Sequence, residues 1–162
     1  MRKRVSRIMA KKQTMYLETS VISAYFDFWK GNPPQQRYTR QFWKEIVPHH
    51  RVYISDICLQ ELSQAQEEWY RNYLDILRDI EIITATMTVN ILARKYVSAG
   101  IIPKNKLNDA NHLAIASLHR MDFLVSWNQE HIVRPHKIHQ VIVFNRSQNI
   151  HIPTIVKPSD FL

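Results

Sequence analysis

Along this chain, short runs of apolar, β-branched and aromatic residues alternate with longer stretches whose apolar positions recur every three or four residues. The short runs read as strands: Met15-Tyr16-Leu17, Val52-Tyr53-Ile54, Glu81 to Thr84, and Phe123 to Trp127. Ile152 to Val156 adds a short edge strand, and Pro158 is expected to end order. The longer stretches read as helices. Thr19 or Ser20 can cap one running to about Trp29, with Val21, Ile22, Tyr25 and Phe26 on one face. Gly31-Asn32-Pro33-Pro34 breaks it. A second helix runs from Gln35 to Val47 and stops at Pro48. Ser55 can cap a helix carrying Ile57, Cys58, Glu61 and Leu62. Gln66 to Leu77 and Thr88 to Ala99 follow, the latter halted by Gly100. Pro103 to Asn108 is a polar loop. Asp109 to Arg120 is strongly amphipathic, and Pro135 to Gln148 starts as a helix, with Val141 to Phe144 ambiguous between helix and strand. Strands and helices alternate throughout, which predicts an α/β fold with a mostly parallel sheet.

That topology directs the search for chemistry, because ligands gather beyond the carboxyl ends of parallel strands. Glu18 follows the first strand. Ser55 and Asp56 follow the second, with Glu61 one to two turns into the next helix. Asp109 opens the helix that feeds the fourth strand, and Ser126, Trp127 and Asn128 close that strand. Asp122 precedes it. A five-residue strand spans about 17 Å at ~3.3 Å per residue, so Asp122 belongs at the other edge as a turn residue. Each acid has a bland reading: a favourable charge at a helix start for Glu18, a solvated helix charge for Glu61, a cap for Asp109 or its neighbour Asn108. Together they say more. Three carboxylates and one amide oxygen at one sheet edge repel unless a cation joins them, and hard oxygen donors suit Mg2+ or Mn2+.

Composition narrows the choices. The 162 residues are 45% hydrophobic and 22% charged, the balance of one globular domain. No apolar run approaches the ~18 residues a membrane span needs, and the basic N-terminus lacks the apolar core of a secretory signal. The single Cys58 forbids an internal disulfide and fits a reducing cytoplasm. Gly31 and Gly100 are the only glycines, which excludes Gly-rich phosphate loops. The net charge is +8, yet Arg2, Lys3, Arg4, Arg7, Lys11 and Lys12 stand in the first twelve residues without an acid. Residues 1–14 are therefore expected to be a basic, disordered extension, able to touch phosphates, ahead of one domain at 15–162. Eight histidines include the pairs His136/His139 and His112/His119, but without cysteine pairs or H-E-x-x-H no zinc site is expected. His112 is expected in the packed start of its helix. Arg37, Arg40 and Lys44 share a helix face that either grips RNA or is merely solvated. Trp29, Trp43, Trp69 and Trp127 either stack on bases or fill core and dimer contacts.

The stretch "MYLETSVISAYF" resembles the opening strand and first acidic motif of the PIN domain family, in particular its VapC-type toxins. "SDICLQEL" resembles the second motif, with Glu61 at the acid. "NDANHLAIASLHRMDFLVSWNQEHI" is similar to the family's D-A-x-H-L-A-x-A helix and following strand, in the subgroup with W-N in place of T-x-D. "IHIPTIVKPSDFL" resembles that subgroup's tail. Two positions depart: Glu18 stands where Asp is commoner, and Asn128 where many members carry a fourth acid, which favours one metal over two. The resemblance implies a three-layer α/β/α fold around a four- to five-stranded sheet. It implies an Mg2+- or Mn2+-dependent ribonuclease, the toxin of a toxin–antitoxin pair, with Glu18, Glu61 and Asp109 as metal ligands and Asn128 completing the catalytic set. Ser126, His131 and Thr19 are expected behind the ligands or against substrate, although His131 also reads as a surface turn. An RNA substrate, a cognate antitoxin and a homodimer are the implied partners. Two alternatives stand: a catalytically weak PIN module that binds RNA or a protein, and a different metal-dependent phosphoesterase on the same sheet.

Overall fold

The computed structural model describes residues 11–26 and 33–162. The expected helix end near Trp29, the Gly31-Asn32 break and most of the basic extension lie outside these residues. Five strands form one sheet in the order β3-β2-β1-β4-β5, every neighbouring pair parallel. They are β1 (Thr14–Leu17), β2 (Arg51–Ser55), β3 (Glu81–Ile83), β4 (Phe123–Val125) and β5 (Thr154–Val156). The helices between them are α1 (Thr19–Phe26), α2 (Pro33–Glu45), α3 (Asp56–Leu62), α4 (Glu67–Ile76), α5 (Met87–Ser98), α6 (Leu107–Leu118) and α7 (Pro135–Ser147).

Successive side chains of a strand point to opposite faces, yet Met15, Tyr16 and Leu17 of β1 are all fully buried. Helices therefore cover both faces of the central strand, the arrangement that parallel sheets require. Each fully buried Leu, Ile or Met contributes roughly 1.5–3 kcal/mol by leaving water. α6 is the most enclosed helix: Ala110 through Ser117 are all buried, and its alanines let α5 pack closely against it. The chain first builds outward from β1 to β2 and β3, then crosses back to lay β4 on the other side of β1. The order reverses between β1 and β4, so their carboxyl ends flank the crevice where α/β proteins bind ligands.

Several ends differ from the sequence expectation for local reasons. Thr19 and Ser20 lie inside α1 instead of capping it, because their hydroxyls turn to carboxylates. α6 begins at Leu107, two residues before Asp109, so Asp109 is neither its opening residue nor its cap. β4 stops at Val125, and Ser126 and Trp127 bend away, although Ser126 N still donates to Val156 O at 3.0 Å. α7 is helical throughout, including Val141 to Phe144. Pro158 does not end order. It starts a 3-10 turn over Pro158–Phe161, and Phe161 packs edge-on against Phe42 and Phe123 with ring centroids 5.4 and 5.1 Å away. Ser55 caps α3 as expected, accepting from Cys58 N. Gly100, Arg120 and Asn149 close α5, α6 and α7 in the left-handed conformation, at φ 74°, 52° and 54°. In each case the next residue's N–H reaches back to the helix, as Met121 N does to Ala116 O.

Candidate active site

Glu18 and Glu61 stand on segments that leave the carboxyl ends of β1 and β2, and Asp109 stands on the first turn of α6, the helix that leads to β4. Glu18 immediately follows β1, and its own N–H still bonds Val125 O of β4 at 3.0 Å. Its carboxylate is nearly enclosed, at 5% exposure. Oε2 accepts from Ser20 Oγ and from Ser126 Oγ, the latter at 2.8 Å. Ser20 Oγ in turn accepts from Trp127 N at 2.8 Å, which pins the end of β4 to the first turn of α1.

Glu61 projects from α3. Its Oε1 accepts from Thr19 Oγ at 2.9 Å and from His112 Nε2 at 2.5 Å. Asp109, on the first turn of α6, accepts at Oδ2 from His131 Nδ1 at 2.8 Å. Both acids line one cavity of about 360 Å3, together with Asn105, Lys106, Leu107 and Asn108. The Glu61 and Asp109 side chains are 30% and 15% exposed, so solvent and solutes reach both.

A continuous chain of hydrogen bonds links Glu18 to Asp109. Ser126 Oγ donates to Glu18 and accepts from Asn128 N at 2.9 Å; Asn128 Oδ1 accepts from His131 N at 3.0 Å; His131 then holds Asp109. Asn128 is thus engaged through its oxygen in the turn that carries His131. His131 is buried on Asp109 and is no surface turn residue. Of the expected residues, Thr19 and Ser126 contact Glu61 and Glu18 directly, and Asn128 and His131 join the same network.

Glu61 belongs to a second network, whose members His112 and Tyr16 sequence reasoning missed. His112 is fully buried, with Nε2 on Glu61 and Nδ1 2.6 Å from the Tyr16 hydroxyl, which lies 2.7 Å from Ser55 Oγ. The signal was present: Asp109 and His112 are three apart on one helix, and so share a face. Burial by itself disfavours a charged His112, but the Cys58 sulfur and the Glu61 and Glu18 carboxylates raise its pKa well above the ordinary imidazole value. Its Nε2 bonds Glu61, and its Nδ1 shares a hydrogen bond with the Tyr16 hydroxyl, which in turn bonds Ser55 Oγ. Burial also pushes the Tyr16 phenol well up, so it stays neutral. Burial works against the Glu61 carboxylate too, yet the His112 hydrogen bond and charge, with the Thr19 hydroxyl, bring it below its usual range. Cys58, buried but drawn down by His112, donates to Leu17 O at 3.4 Å.

The donor chemistry suits a hard divalent cation. The described hydrogen bonds fall on a single oxygen of each carboxylate, Oε2 of Glu18, Oε1 of Glu61 and Oδ2 of Asp109, which leaves the second oxygen of each for a metal or its waters. Among the described residues, however, no three His, Cys, Asp or Glu side chains are gathered tightly enough to form a ready-made cage. Around the crevice, Trp127 Nε1 donates to Thr39 Oγ at 2.8 Å and is a packing residue of the wall. Arg40 is tied to α1, donating to Tyr25 O at 3.0 Å and lying 5.2 Å over the Tyr25 ring.

The family model for the PIN domain matches residues 15–135. The chain belongs to the PIN domain family. Among solved structures it is similar to VapBC2 from Rickettsia felis bound to a promoter DNA fragment, at 20% identity and a TM-score of 0.57, over 90% of this chain and 98% of that one. It is similar to the Mycobacterium tuberculosis sarcin-ricin loop cleaving toxin VapC20 at 12% identity and a TM-score of 0.56, over 72% and 92% of the two chains. VapBC-1 from nontypeable Haemophilus influenzae resembles it at 14% identity and a TM-score of 0.54, over 91% and 99%. At these identities the likeness is one of fold. Comparison with curated proteins gives no match. No helix among the described residues is long and apolar enough to cross a membrane. For a PIN domain, the two networks place the acids of the three quoted motifs at one edge of the sheet.

Proposed function

We propose that this PIN domain is an endoribonuclease that uses Mg2+ or Mn2+, and that it acts in the cytoplasm as the toxin of a toxin–antitoxin pair. The observation that carries the reading is three carboxylates from separate segments, Glu18, Glu61 and Asp109, each oriented by hydrogen bonds from Ser20, Ser126, Thr19, His112 or His131. Their free oxygens would hold the cation. When bound, that ion supplies water activation and neutralises charge growing on the scissile phosphate.

The protein's own residues do the rest. Ser20 and Ser126 fix the Glu18 carboxylate, so it needs no reorganisation when charge develops nearby. Thr19 and His112 keep Glu61 ionised and aimed. His131 orients Asp109, and Asn128 holds the His131 backbone. Lys106, in the same cavity as Glu61 and Asp109, offers a cation to an RNA phosphate. The antitoxin and homodimer of this reading follow from the company the fold keeps, since two of the similar structures above are VapBC assemblies.

RNA cleavage with Mn2+ tests the reading. The parent chain cuts and Asp109→Asn, folded by circular dichroism, does not. A second reading is favoured by Asn128, a neutral residue whose oxygen is already engaged: a PIN module that binds RNA or a partner without cutting. A parent chain that binds RNA but cuts none of several structured and unstructured RNAs, in either metal, would establish it instead.

A further inference from the structure

The opposite edge of the sheet carries a separate feature. Four residues of β-strand separate Thr14 from Glu18, about 13 Å at ~3.3 Å each. At the amino ends of β1 and β4 opens a cavity of about 610 Å3 whose rim carries the cations Lys11, Lys12 and Arg120, with His119 beside them. The acid among its lining residues, Asp122, is occupied by Thr14, accepting from its N–H at 2.8 Å and its hydroxyl at 3.2 Å. Among the described residues neither Lys11 nor Arg120 has an acidic partner. Tyr53, Ile83 and the buried Met121 complete the lining, and the Arg51 guanidinium lies 5.7 Å from the centre of the Tyr53 ring.

The dipole of α6 accounts for Arg120 just beyond its C-terminus. It does not account for Lys11 and Lys12, which arrive from the segment before β1. Arg120 also holds a left-handed backbone where glycine is easier. The charge of Lys11, Lys12 and Arg120 is therefore collected at the pole remote from the acidic site, around a hollow lined in part by Tyr53 and Ile83.

We infer that this cavity is a second RNA-binding site, which takes one nucleotide of a single strand. Its phosphate sits on Lys11, Lys12 and Arg120, and its base lies against the Tyr53 side chain. Stacking of this kind tolerates any base, and the cations track the backbone. Binding here requires no cleavage, so the inference stands or falls separately from the proposed function.

The test is fluorescence anisotropy of a labelled oligouridine of about a dozen nucleotides, with the full chain carrying Asp109→Asn to prevent cutting. The rim variant adds Lys11→Gln, Lys12→Gln and Arg120→Gly, the last of which relaxes the backbone and so favours folding. Affinity at moderate salt falls about tenfold or more, and the slope of log K against log salt shrinks by about 0.7, the value for one lost phosphate contact on a single strand. A control variant, Arg78→Gln with Arg94→Gln and Lys95→Gln, removes the same charge elsewhere and keeps most of the affinity. Unchanged binding by the rim variant, or equal loss in the control, overturns the site. Displacement of the RNA by polyglutamate as readily as by unlabelled oligouridine overturns its assignment to nucleic acid. If the parent chain cuts no RNA yet binds it through this rim, the nuclease reading falls and this one stands. If it cuts and the rim variant binds unchanged, the reverse holds.

Discussion

Tyr16→Phe removes one oxygen from the centre of the protein. That oxygen lies 2.6 Å from His112 Nδ1 and 2.7 Å from Ser55 Oγ, on a residue with no exposed surface. The losses are unequal. Ser55 keeps its bond from Cys58 N, so it forfeits one ordinary bond, about 1 kcal/mol. His112 Nδ1 loses its bond to the phenol inside a fully buried site, which costs about 1–3 kcal/mol. The sum is about 2–4 kcal/mol, a substantial part of the ~5–15 kcal/mol that holds a domain folded. For a chain of this size the melting temperature drops by about 5–15 °C, at roughly 2–4 °C per kcal/mol. Urea denaturation reads it directly: the midpoint moves down while the slope m is unchanged. Tyr53→Phe, whose half-buried hydroxyl makes no described bond, stays within about 0.5 kcal/mol of the parent and is the control. A Tyr16→Phe loss below about 1 kcal/mol at unchanged m would refute the reasoning, because it would mean the buried imidazole does not depend on the phenol. The same variant loosens His112, and through it Glu61, so RNA cleavage falls while RNA binding at the remote rim does not.

Other outcomes follow from the same geometry. Burial raises the Tyr96 phenol against the smaller opposing pull of Ser117 and Asn145. Its neutral form is therefore favoured by folding, and that stability is complete below about pH 10, the unfolded tyrosine value, and is lost as pH rises through the folded value. Stability between pH 8 and 11 falls less steeply in Tyr96→Phe than in the parent; parallel curves would count against this. Phe161→Ala strips the C-terminal turn from Phe42, Phe123 and His50 and costs about 2–3 kcal/mol in urea titration, where a near-neutral effect would mean the turn is decorative. Asp109→Asn keeps the fold and loses Mn2+-dependent cleavage, as set out above.

What the sequence made legible was whatever depends on local pattern. The four short apolar runs became β1 to β4, Ser55 became a cap, and Gly100 became a helix stop, because turn chemistry and period act within a few residues. The placement of Asp122 away from the acids also followed from strand length alone: it ties β1 to β4 through Thr14. What stayed hidden depends on partners distant in sequence. Thr19 and Ser20 have the composition of helix caps, and only the arrival of α3 and β4 turns their hydroxyls to Glu61 and Glu18. His112 looked like a packed helix residue and is one, but its two nitrogens meet Tyr16 and Glu61, which lie 96 and 51 positions away. Pro158 has the signature of a terminator, yet aromatic packing of Phe161 keeps the chain in place beyond it.

The bond between Ser126 and Glu18 joins positions 108 residues apart, and this bears on how the protein is made. Translation delivers Glu18 and Glu61 first, and Asp109, Ser126 and His131 follow only after dozens more residues. Until then, Glu18 has no β4 to rest on and Asp109 has no imidazole. A growing polypeptide therefore cannot orient all three carboxylates before the segment through His131 has emerged from the RNA-rich machine that produces it.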